Sequence, residues 1–198
     1  MKSTASLIVA LLTMALWSSA SLASNYKLDG SHTEVGFSVK HLVISNVKGR
    51  FGKFDGGFTY DAATKALSNV DVKIEVSSVD TNDKKRDEHL TSPDFFDAAK
   101  FATMEFKADK VANVVAGKTV KVPGSLTIHG VTKPVTLTVD FAGTVTDPYG
   151  KERVVFAATT KVNRNDFGVK WNKTMDKGGV VVGEEVTINI EAESVKAD

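Results

Sequence analysis

The sequence predicts an all-β protein, an antiparallel barrel of about eight strands with a short helical insertion near residues 83–98. Three observations lead to this prediction. Apolar and polar residues alternate along most of the chain after residue 24, which is the period of strands with one buried face. Short turn-forming segments separate these stretches, so consecutive strands are expected to pair antiparallel. An open sheet of this length would expose two edges and an apolar face, and closure into a barrel hides all of them.

A two-sheet sandwich is the alternative to the closed barrel. A membrane-spanning barrel is disfavoured because the positions opposite the apolar sets include Lys73, Glu75 and Glu191, whereas lipid would require an apolar outer band. The apolar faces are therefore expected to point inward. A barrel of about eight strands is either filled by its own side chains or holds one small ligand, and the pattern does not distinguish these two states.

The apolar residues that define the strands recur at every second position. Residues 26–29 form a short first strand, and Val35, Phe37 and Val39 alternate with polar residues in the second. The next strand is expected over residues 47–60, punctuated by Gly52, Gly56 and Gly57, and the later ones around residues 70–76, 104–108, 126–128, 135–141, 154–162 and 186–192.

Turns and loops are assigned where Gly, Pro, Asn and Asp cluster. Residues 61–64, 129–130 and 147–150 have the composition of tight turns. Residues 111–122 follow the alternation only loosely, and residues 163–179 form a long polar loop that carries Trp171.

The segment from residue 82 to residue 100 interrupts the strand pattern and predicts one short helix, a stop and a second short helix. Asp83 and the three residues before it offer side-chain oxygens that can cap a helix. Ser92 and Pro93 fit the N-cap and first position of the second helix, and Phe95 and Phe96 follow. A charged helix joined to an aromatic pair is what a lid over a barrel mouth requires. A surface connector anchored by two Phe residues is the alternative.

The first 23 residues have the features of a secretory signal peptide. Lys2 precedes an apolar run at residues 7–17, and small residues stand at the −3 and −1 positions of a cleavage site after Ala23. The apolar run is too short to anchor the chain in a membrane. We expect residues 1–23 to be removed and residues 24–198 to form one exported domain without an integral membrane segment.

Composition narrows the compartment and the partners. The chain has no Cys, which excludes disulfides and thiol chemistry and favours the bacterial periplasm over a small disulfide-rich secreted module. One of the 25 basic residues, Lys2, lies in the signal segment, so 24 basic residues face 24 acidic ones in the mature chain. A neutral chain has no bulk attraction for nucleic acid or anionic membranes. The sequence leaves a homodimer open.

No catalytic or metal motif is found. None of the four His residues forms the close pair that zinc-protease helices use. The nucleophile elbow of serine hydrolases is absent as well. We therefore expect no cofactor and no metal.

Two groups of charged residues could meet at a barrel opening. The first helix carries Arg86, Asp87 and His89, and the long late loop carries Arg164 and Asp166. If both segments lie at the same end of the barrel, these residues form a polar collar above an apolar interior. A solvated helix face and an Arg–Asp pair that fixes the loop are the alternative.

Motifs spread over the mature chain resemble those of the YceI-like polyisoprenoid-binding family. They are Tyr26-x-Leu28-Asp29-x-x-His32, Val35-x-Phe37-x-Val39-x-His41, Gly49-x-Phe51, Arg86-Asp87-x-His89-Leu90, Phe95-Phe96, GSLTIHGVTKP at residues 124–134, Arg164-x-Asp166-Phe167-Gly168 and Gly183-x-x-Val186. The chain departs from the family pattern at Thr33, where a Ser is usual, and residues 111–122 and 169–182 match no motif.

The resemblance implies a periplasmic or secreted, lipocalin-like antiparallel barrel that holds a long-chain isoprenoid or similar amphiphile in an apolar channel. The residues it suggests for contact with the lipid tail are Phe37, Val39, Phe51, Val72, Ile74, Leu126, Ile128, Leu137 and Val139, with Phe95 and Phe96 at the entrance. At the polar mouth, Arg86 and Arg164 could pair with a phosphate or carbonyl head group, or with Asp87 and Asp166.

The function expected from this resemblance is that of an exported carrier for a polyprenyl lipid, quinone or fatty amide, and not an enzyme. An esterase or isomerase acting on such lipids is one alternative, and it would need an acid–base pair such as His89 with Asp87. An interaction module with a solid barrel is the other alternative.

Overall fold

The computed structural model describes residues 23–111, 113–175 and 179–197. The predicted signal peptide, residues 1–23, lies outside the described residues except for Ala23. The secondary structure elements are β1 (Ser24–Leu28), β2 (Glu34–His41), β3 (Ser45–Phe51), β4 (Phe54–Asp61), β5 (Ala66–Glu75), β6 (Val79–Asp80), α1 (Lys84–Thr91), β7 (Thr103–Val111), β8 (Lys118–Ile128), β9 (Val131–Thr146), β10 (Glu152–Asn163) and β11 (Val182–Lys196). Short 3-10 helices cover Val76–Ser78 and Arg164–Phe167.

The strands form one closed antiparallel barrel of eight rows. Strands β1 and β2 lie end to end along β11, because Leu28 pairs with Ser194 and Val39 pairs with Val186. Strands β4 and β3 make the next row, and β5 and β6 the third. The remaining rows are β7, β8, β9, β10 and β11, and β11 returns to β1. The predicted barrel is confirmed, and the sandwich alternative is wrong.

The turn between β8 and β9 follows directly from its sequence. Ile128 pairs with Val131, which leaves a two-residue turn of His129 (φ 51°) and Gly130 (φ 74°). Positive φ at both central positions matches the twist of the flanking strands, and Gly adopts it without strain. The tight connection predicted here is confirmed.

Strand β8 is longer than the sequence pattern indicated. It begins at Lys118, inside the loosely patterned stretch, and continues through Pro123. Its ladder to β7 covers only Ser125–Thr127, so Pro123 lies outside that ladder. Proline is tolerated where no partner on that side needs its missing N–H.

The helical insertion contains one helix and not two. Asp83 caps α1 as predicted, since its carboxylate accepts from two backbone N–H groups of the first turn. The second helix expected after Ser92 is wrong. The N–H of Phe96 donates to the Leu90 carbonyl at 3.0 Å, so the chain folds back onto the last carbonyls of α1 instead of starting a new ladder. Asp97 then has φ 48°, which does not continue a right-handed helix.

One end of the barrel is closed by aromatic side chains. Tyr26 stacks on Phe58 at 5.5 Å between ring centroids, Phe156 meets Phe58 at 5.8 Å, and Tyr60 meets Phe141 at 5.5 Å. Burial and a hydrogen bond to Glu152 raise the pKa of the Tyr26 hydroxyl, which therefore stays protonated. We call these five aromatic residues the floor of the barrel.

Arg153 ties three segments together at the same end. Its guanidinium donates to Asp29 Oδ2 at 2.8 Å, to Asp147 Oδ2 at 2.8 Å and to Glu193. Hydrogen bonds from Ser31 and then from Arg153 lower the pKa of Asp29, and the Arg153 hydrogen bond is the main cause of the lowered pKa of Asp147. The cluster joins the segment after β1, the β9–β10 turn and β11.

Replacing Arg153 by Met is expected to make the free energy of unfolding fall less steeply as the pH is lowered. Carboxyl groups with lowered folded-state pKa contribute stability above their unfolded pKa of about 3.9, and this contribution is lost as the pH falls through the folded-state pKa. Part of that contribution depends on Arg153, so the urea midpoint of the variant should fall less than that of the wild type below about pH 4.

The matched control is Arg50→Met, which removes an exposed ion pair between Arg50 and Asp80 at 3.2 Å. The lowered pKa of Asp80 is due first to the Asn82 N–H and only then to Arg50, and exposed pairs contribute little to stability. This variant should therefore depart from the wild-type pH profile much less than Arg153→Met does. Parallel acid profiles for Arg153→Met and the wild type would contradict the role given to the Arg153 cluster.

No helix among the described residues combines the length and apolar character that crossing a membrane requires. The longest, α1, has eight residues and is strongly charged.

Candidate ligand cavity

An apolar cavity of about 220 Å³ occupies the barrel interior. Among the described residues that line it, only Thr33 and Arg164 carry polar side chains. Apolar cavities of about 150 Å³ already hold a benzene-sized molecule, so the interior has room for one such group and part of a second. The barrel is therefore hollow. The alternative, an interior filled by its own side chains, is wrong.

All residues that the sequence assigned to the apolar channel lie in the cavity wall: Phe37, Val39, Phe51, Val72, Ile74, Phe95, Phe96, Leu126, Ile128, Leu137 and Val139. Strand alternation predicted the inward orientation of the nine that lie on strands, and Phe95 and Phe96 reach the wall from the segment after α1. Their contact with a ligand stays a prediction.

The wall also contains residues that the sequence reasoning did not select. They come mainly from β4, β7, β10 and β11 and include Phe58, Met104, Phe106, Phe156, Ala158, Val162, Ile188, Ile190 and Ala192. Most of these positions were already recognised as the apolar faces of predicted strands. In a closed barrel every inward face borders the same space, so this rule would have identified them.

The helical insertion and the late loop lie together over the end of the barrel opposite the floor. The ring of His89 lies 5.0 Å from the rings of both Phe95 and Trp171, and Phe95 lies 5.0 Å from Trp171. Phe96 meets Phe51 of β3 at 6.1 Å. We call α1 and residues 92–101 the lid, because Leu90, Phe95 and Phe96 form part of the cavity wall.

Arg86 and Asp87 fix the lid to the barrel and do not form a polar collar, which was one of the two arrangements that the sequence left open. Both bind Thr81, which is 5% exposed. Arg86 donates to the Thr81 hydroxyl at 2.7 Å and to its carbonyl at 2.8 Å. Asp87 accepts from the Thr81 N–H at 2.9 Å and from the hydroxyl at 2.6 Å. The expected Arg86–Asp87 ion pair is therefore replaced by a shared threonine.

His89 and Asp166 are likewise not arranged as the sequence suggested. His89 Nε2 lies 3.0 Å from Asp94 Oδ2, whereas the carboxylate of Asp87 is engaged with Thr81. The hypothesis that His89 and Asp87 form an acid–base pair is therefore wrong. Asp166 is exposed, and among the residues that the structure describes no ion pair joins it to Arg164.

Arg164 is buried, with 7% of its surface exposed, and binds backbone carbonyl groups. It donates to Val169 O at 2.7 Å, Trp171 O at 2.8 Å, Gly183 O at 2.9 Å and Val182 O at 3.3 Å. Burial lowers its pKa. The side chain joins the 3-10 helix Arg164–Phe167 to the loop after it and to the start of β11.

One group of side chains has the composition of a metal site. Asp29, His32 and Glu193 bring one ligand atom each within 4.8 Å of one another. Arg153 donates to both carboxylates, and His32 Nδ1 lies 3.0 Å from Asp29 Oδ2. The guanidinium already supplies the positive charge that a metal ion would bring, so this geometry fits an ion-pair cluster.

Known proteins resemble this chain in sequence and in fold. The chain matches the YceI-like domain over residues 26–194. A UPF0312 protein of Vibrio cholerae is 43% identical over 153 residues, which cover 76% of this chain and 80% of the relative. The crystal structure of the Campylobacter jejuni YceI protein is 34% identical with a TM-score of 0.67, over 86% of this chain and 97% of that one.

A polyisoprenoid-binding domain from Saccharophagus degradans, implicated in plant cell wall breakdown, has the same fold. The TM-score is 0.63 at 16% identity, over 87% of this chain and 98% of that domain. At this identity the likeness concerns the fold.

Proposed function

Since the chain belongs to the YceI-like family, we propose that it is an exported carrier that shelters a long-chain isoprenoid or related amphiphilic lipid in the barrel. Polyprenyl lipids, quinones and fatty amides are the candidate ligands. The observation that carries the proposal is the apolar cavity of about 220 Å³ inside a closed barrel. The polyisoprenoid-binding domain of S. degradans, which shares the fold, supports it by analogy.

The cavity suits an apolar tail because it offers almost no free polar group. The Thr33 hydroxyl donates to the Glu193 carbonyl at 3.0 Å and accepts from the Glu193 N–H at 3.1 Å. Of the five N–H groups of Arg164, four are directed at backbone carbonyls. Burial of each methylene contributes about 0.8 kcal/mol, so a tail binds here without polar contacts.

A polar head group therefore belongs at the mouth and not in the wall of the cavity. Arg164 retains at most one N–H for it, and Arg86 is engaged with Thr81. A long chain also exceeds a cavity of about 220 Å³. Part of the ligand must lie between the lid and the barrel rim, or displace Phe95 and Phe96 as it enters.

The esterase or isomerase alternative has weaker support. The described cavity wall contains no His, Asp or Glu, and His89 is directed to Asp94. A catalytic acid–base pair would need groups within hydrogen-bond reach of the bound lipid.

Extraction of ligand from protein purified under native conditions tests the carrier function. The full chain would be expressed in a bacterium that processes exported proteins, and lipid from the purified protein would be identified by mass spectrometry. We expect an isoprenoid-type lipid or a related amphiphile. Repeated recovery of empty protein that also fails to take up dispersed polyprenol would contradict the proposal.

Export makes a separate prediction about the mature N-terminus. Removal of residues 1–23 would give a protein in the periplasmic fraction whose intact mass corresponds to a chain that starts at Ser24. An unprocessed chain in the cytoplasmic fraction would contradict export and leave lipid binding untouched.

A further inference from the structure

The tip of the β2–β3 hairpin exposes three consecutive apolar residues. Leu42 is 39% exposed, Val43 62% and Ile44 85%. We call these three residues the hairpin tip. Consecutive exposed apolar side chains lower solubility. When a protein retains them, they mark a site of interaction with a protein or a membrane.

The backbone of the hairpin tip is strained as well as exposed. Leu42 has φ 51° and Val43 has φ 68°. The left-handed region is uncommon for residues other than Gly, Asn and Asp, and for a β-branched residue such as Val it is an outlier. Asn or Gly would form this turn at lower energy. The geometry of the turn therefore does not explain why residues 42–44 carry apolar side chains.

The hairpin tip lies at the open end of the barrel. His41 pairs with Val182, and the Leu42 N–H donates to the Val181 carbonyl at 2.9 Å. Val39, two residues before the end of β2, and Val182 both belong to the cavity wall. The hairpin tip thus projects from the rim beside the cavity, at the end opposite the aromatic floor.

We propose that the hairpin tip inserts into an anionic lipid bilayer and holds the barrel mouth against the membrane surface. The proposal deepens the carrier function, because a lipid would then enter from the membrane beneath the mouth. Insertion of the hairpin tip does not itself require a bound ligand.

The dimensions of the hairpin tip favour a bilayer over a protein partner. A stable protein interface buries about 800 Å² on each side, which three side chains on a convex turn cannot provide. A bilayer needs no complementary shape, and apolar side chains insert about 5–10 Å into the boundary between head groups and acyl chains. Val180, 39% exposed, adds to the apolar surface near the turn.

Local charge agrees with an anionic surface although the mature chain is neutral. Lys40 and Lys48 lie on the two strands of this hairpin, and within the described parts of the chain neither has a carboxylate within 4.0 Å. On the neighbouring strand, Glu185 is neutralised by Lys161 at 2.8 Å. Glu184 borders the same surface hollow as Lys40 and Lys48, so two lysines face one remaining carboxylate there. Lysines behind an inserted tip meet the phosphate groups of the bilayer.

Flotation of the mature chain with vesicles of phosphatidylethanolamine and phosphatidylglycerol tests the proposal. The variant L42N/V43G/I44S should lose at least about tenfold in its partition onto the vesicles, because it removes every apolar side chain of the hairpin tip. Its unfolding midpoint in urea should equal or exceed that of the wild type, because Asn and Gly accept positive φ.

The matched control is Tyr149→Ser, which removes an apolar side chain that is 90% exposed on the β9–β10 turn at the floor end. It should bind vesicles like the wild type. Equal binding by the wild type and the triple variant, or no binding by the wild type, would overturn the proposal. Self-association of the wild type that the triple variant loses, without vesicle binding, would also overturn it and assign the hairpin tip to a second copy.

Uptake of polyprenol dispersed without vesicles separates this proposal from the carrier function. The triple variant should take up the dispersed lipid like the wild type, since the hairpin tip is outside the cavity wall. Vesicle binding without any lipid uptake by the wild type would support tip insertion and contradict only the carrier function.

Discussion

Replacing Ala158 by Phe is expected to weaken lipid binding about 100-fold while the barrel stays folded. Ala158 is 5% exposed and belongs to the cavity wall. It pairs with Val139 of β9 and Ile190 of β11, which line the same cavity. A Phe ring at this position projects into the space that a lipid tail would occupy. Exclusion of about four methylene groups removes about 3 kcal/mol of binding free energy, or about 100-fold in Kd.

Ala157→Phe is the matched control for this substitution. Ala157 precedes Ala158 on β10 and is outside the cavity wall, and its strand partners Asp140 and Glu191 are polar. The same change on the outer face should leave lipid affinity unchanged. Both variants are compared with the wild type by titration with dispersed polyprenol.

The unfolding free energy of Ala158→Phe should be retained, because the ring fills existing space. If the fit is imperfect, overpacking costs about 1–3 kcal/mol, which a folded domain tolerates. A folded Ala158→Phe protein that binds lipid with wild-type affinity would show that the lipid is not bound in the cavity.

The fold and the cavity wall could be predicted because they depend on a local pattern. The inward orientation of Val72 and Ile74 follows from their alternation with Asp71 and Lys73, whatever the rest of the chain does. Closure then directs all apolar faces to one interior, so a strand-by-strand reading gives the wall of a cavity. Whether that interior is hollow depends on the summed side-chain volumes, which a pattern does not contain.

The polar residues were predicted less well because their partners are distant in the chain. Arg164 donates to Val182 and Gly183, which are 18 and 19 residues away. Asp166 is close to Arg164 in the sequence. Proximity along the chain does not determine whether an arginine binds a carboxylate or a backbone carbonyl group.

The prediction of a second helix was wrong for a related reason. Ser92 and Pro93 have the local chemistry of a helix start, and this chemistry is equally compatible with the turn that follows α1. The anchoring of Phe95 and Phe96 in the cavity wall accompanies the turn, and such tertiary contacts override the local preference.

Gly49 is a further position whose role could not be read from the sequence. A Cβ atom there would lie 2.4 Å from the ring of Phe37 and 2.7 Å from the Thr81 side chain. The absence of a side chain lets the Phe37 ring and the threonine that holds the lid pack closely against β3. The motif Gly49-x-Phe51 is thus a packing requirement of the mouth.

Replacing Arg164 by Met is expected to lower the free energy of unfolding by about 3–5 kcal/mol. Met retains a long flexible side chain but removes all N–H donors. The carbonyl groups of Val169, Trp171 and Gly183 then lose their partner in a partly buried setting. Each hydrogen bond to a charged group contributes about 1.5–3 kcal/mol, and the bonds of one side chain are not additive.

The loss of stability in Arg164→Met is expected to loosen the mouth of the barrel more than the floor. Arg164 holds the segment that carries Trp171, whose ring packs on Phe95 and His89 of the lid. Loosening of this segment exposes Trp171, the only Trp after the predicted cleavage site. Urea unfolding followed by far-UV circular dichroism reports the free energy of unfolding, and Trp171 emission in native buffer reports the mouth.

Two further variants separate the hydrogen bonds from the charge. Arg164→Lys keeps the charge, but a single ammonium group cannot reach both the loop and β11, so it should recover only part of the stability. Lys170→Met removes an exposed charge from the same loop and should change the free energy of unfolding by less than about 0.5 kcal/mol. Wild-type stability and wild-type Trp171 emission in Arg164→Met would contradict the role given to this arginine. If instead the emission shifts to the red while the floor stays folded, lipid should leave the variant faster than the wild type, since the side of the lid that Trp171 closes is then open.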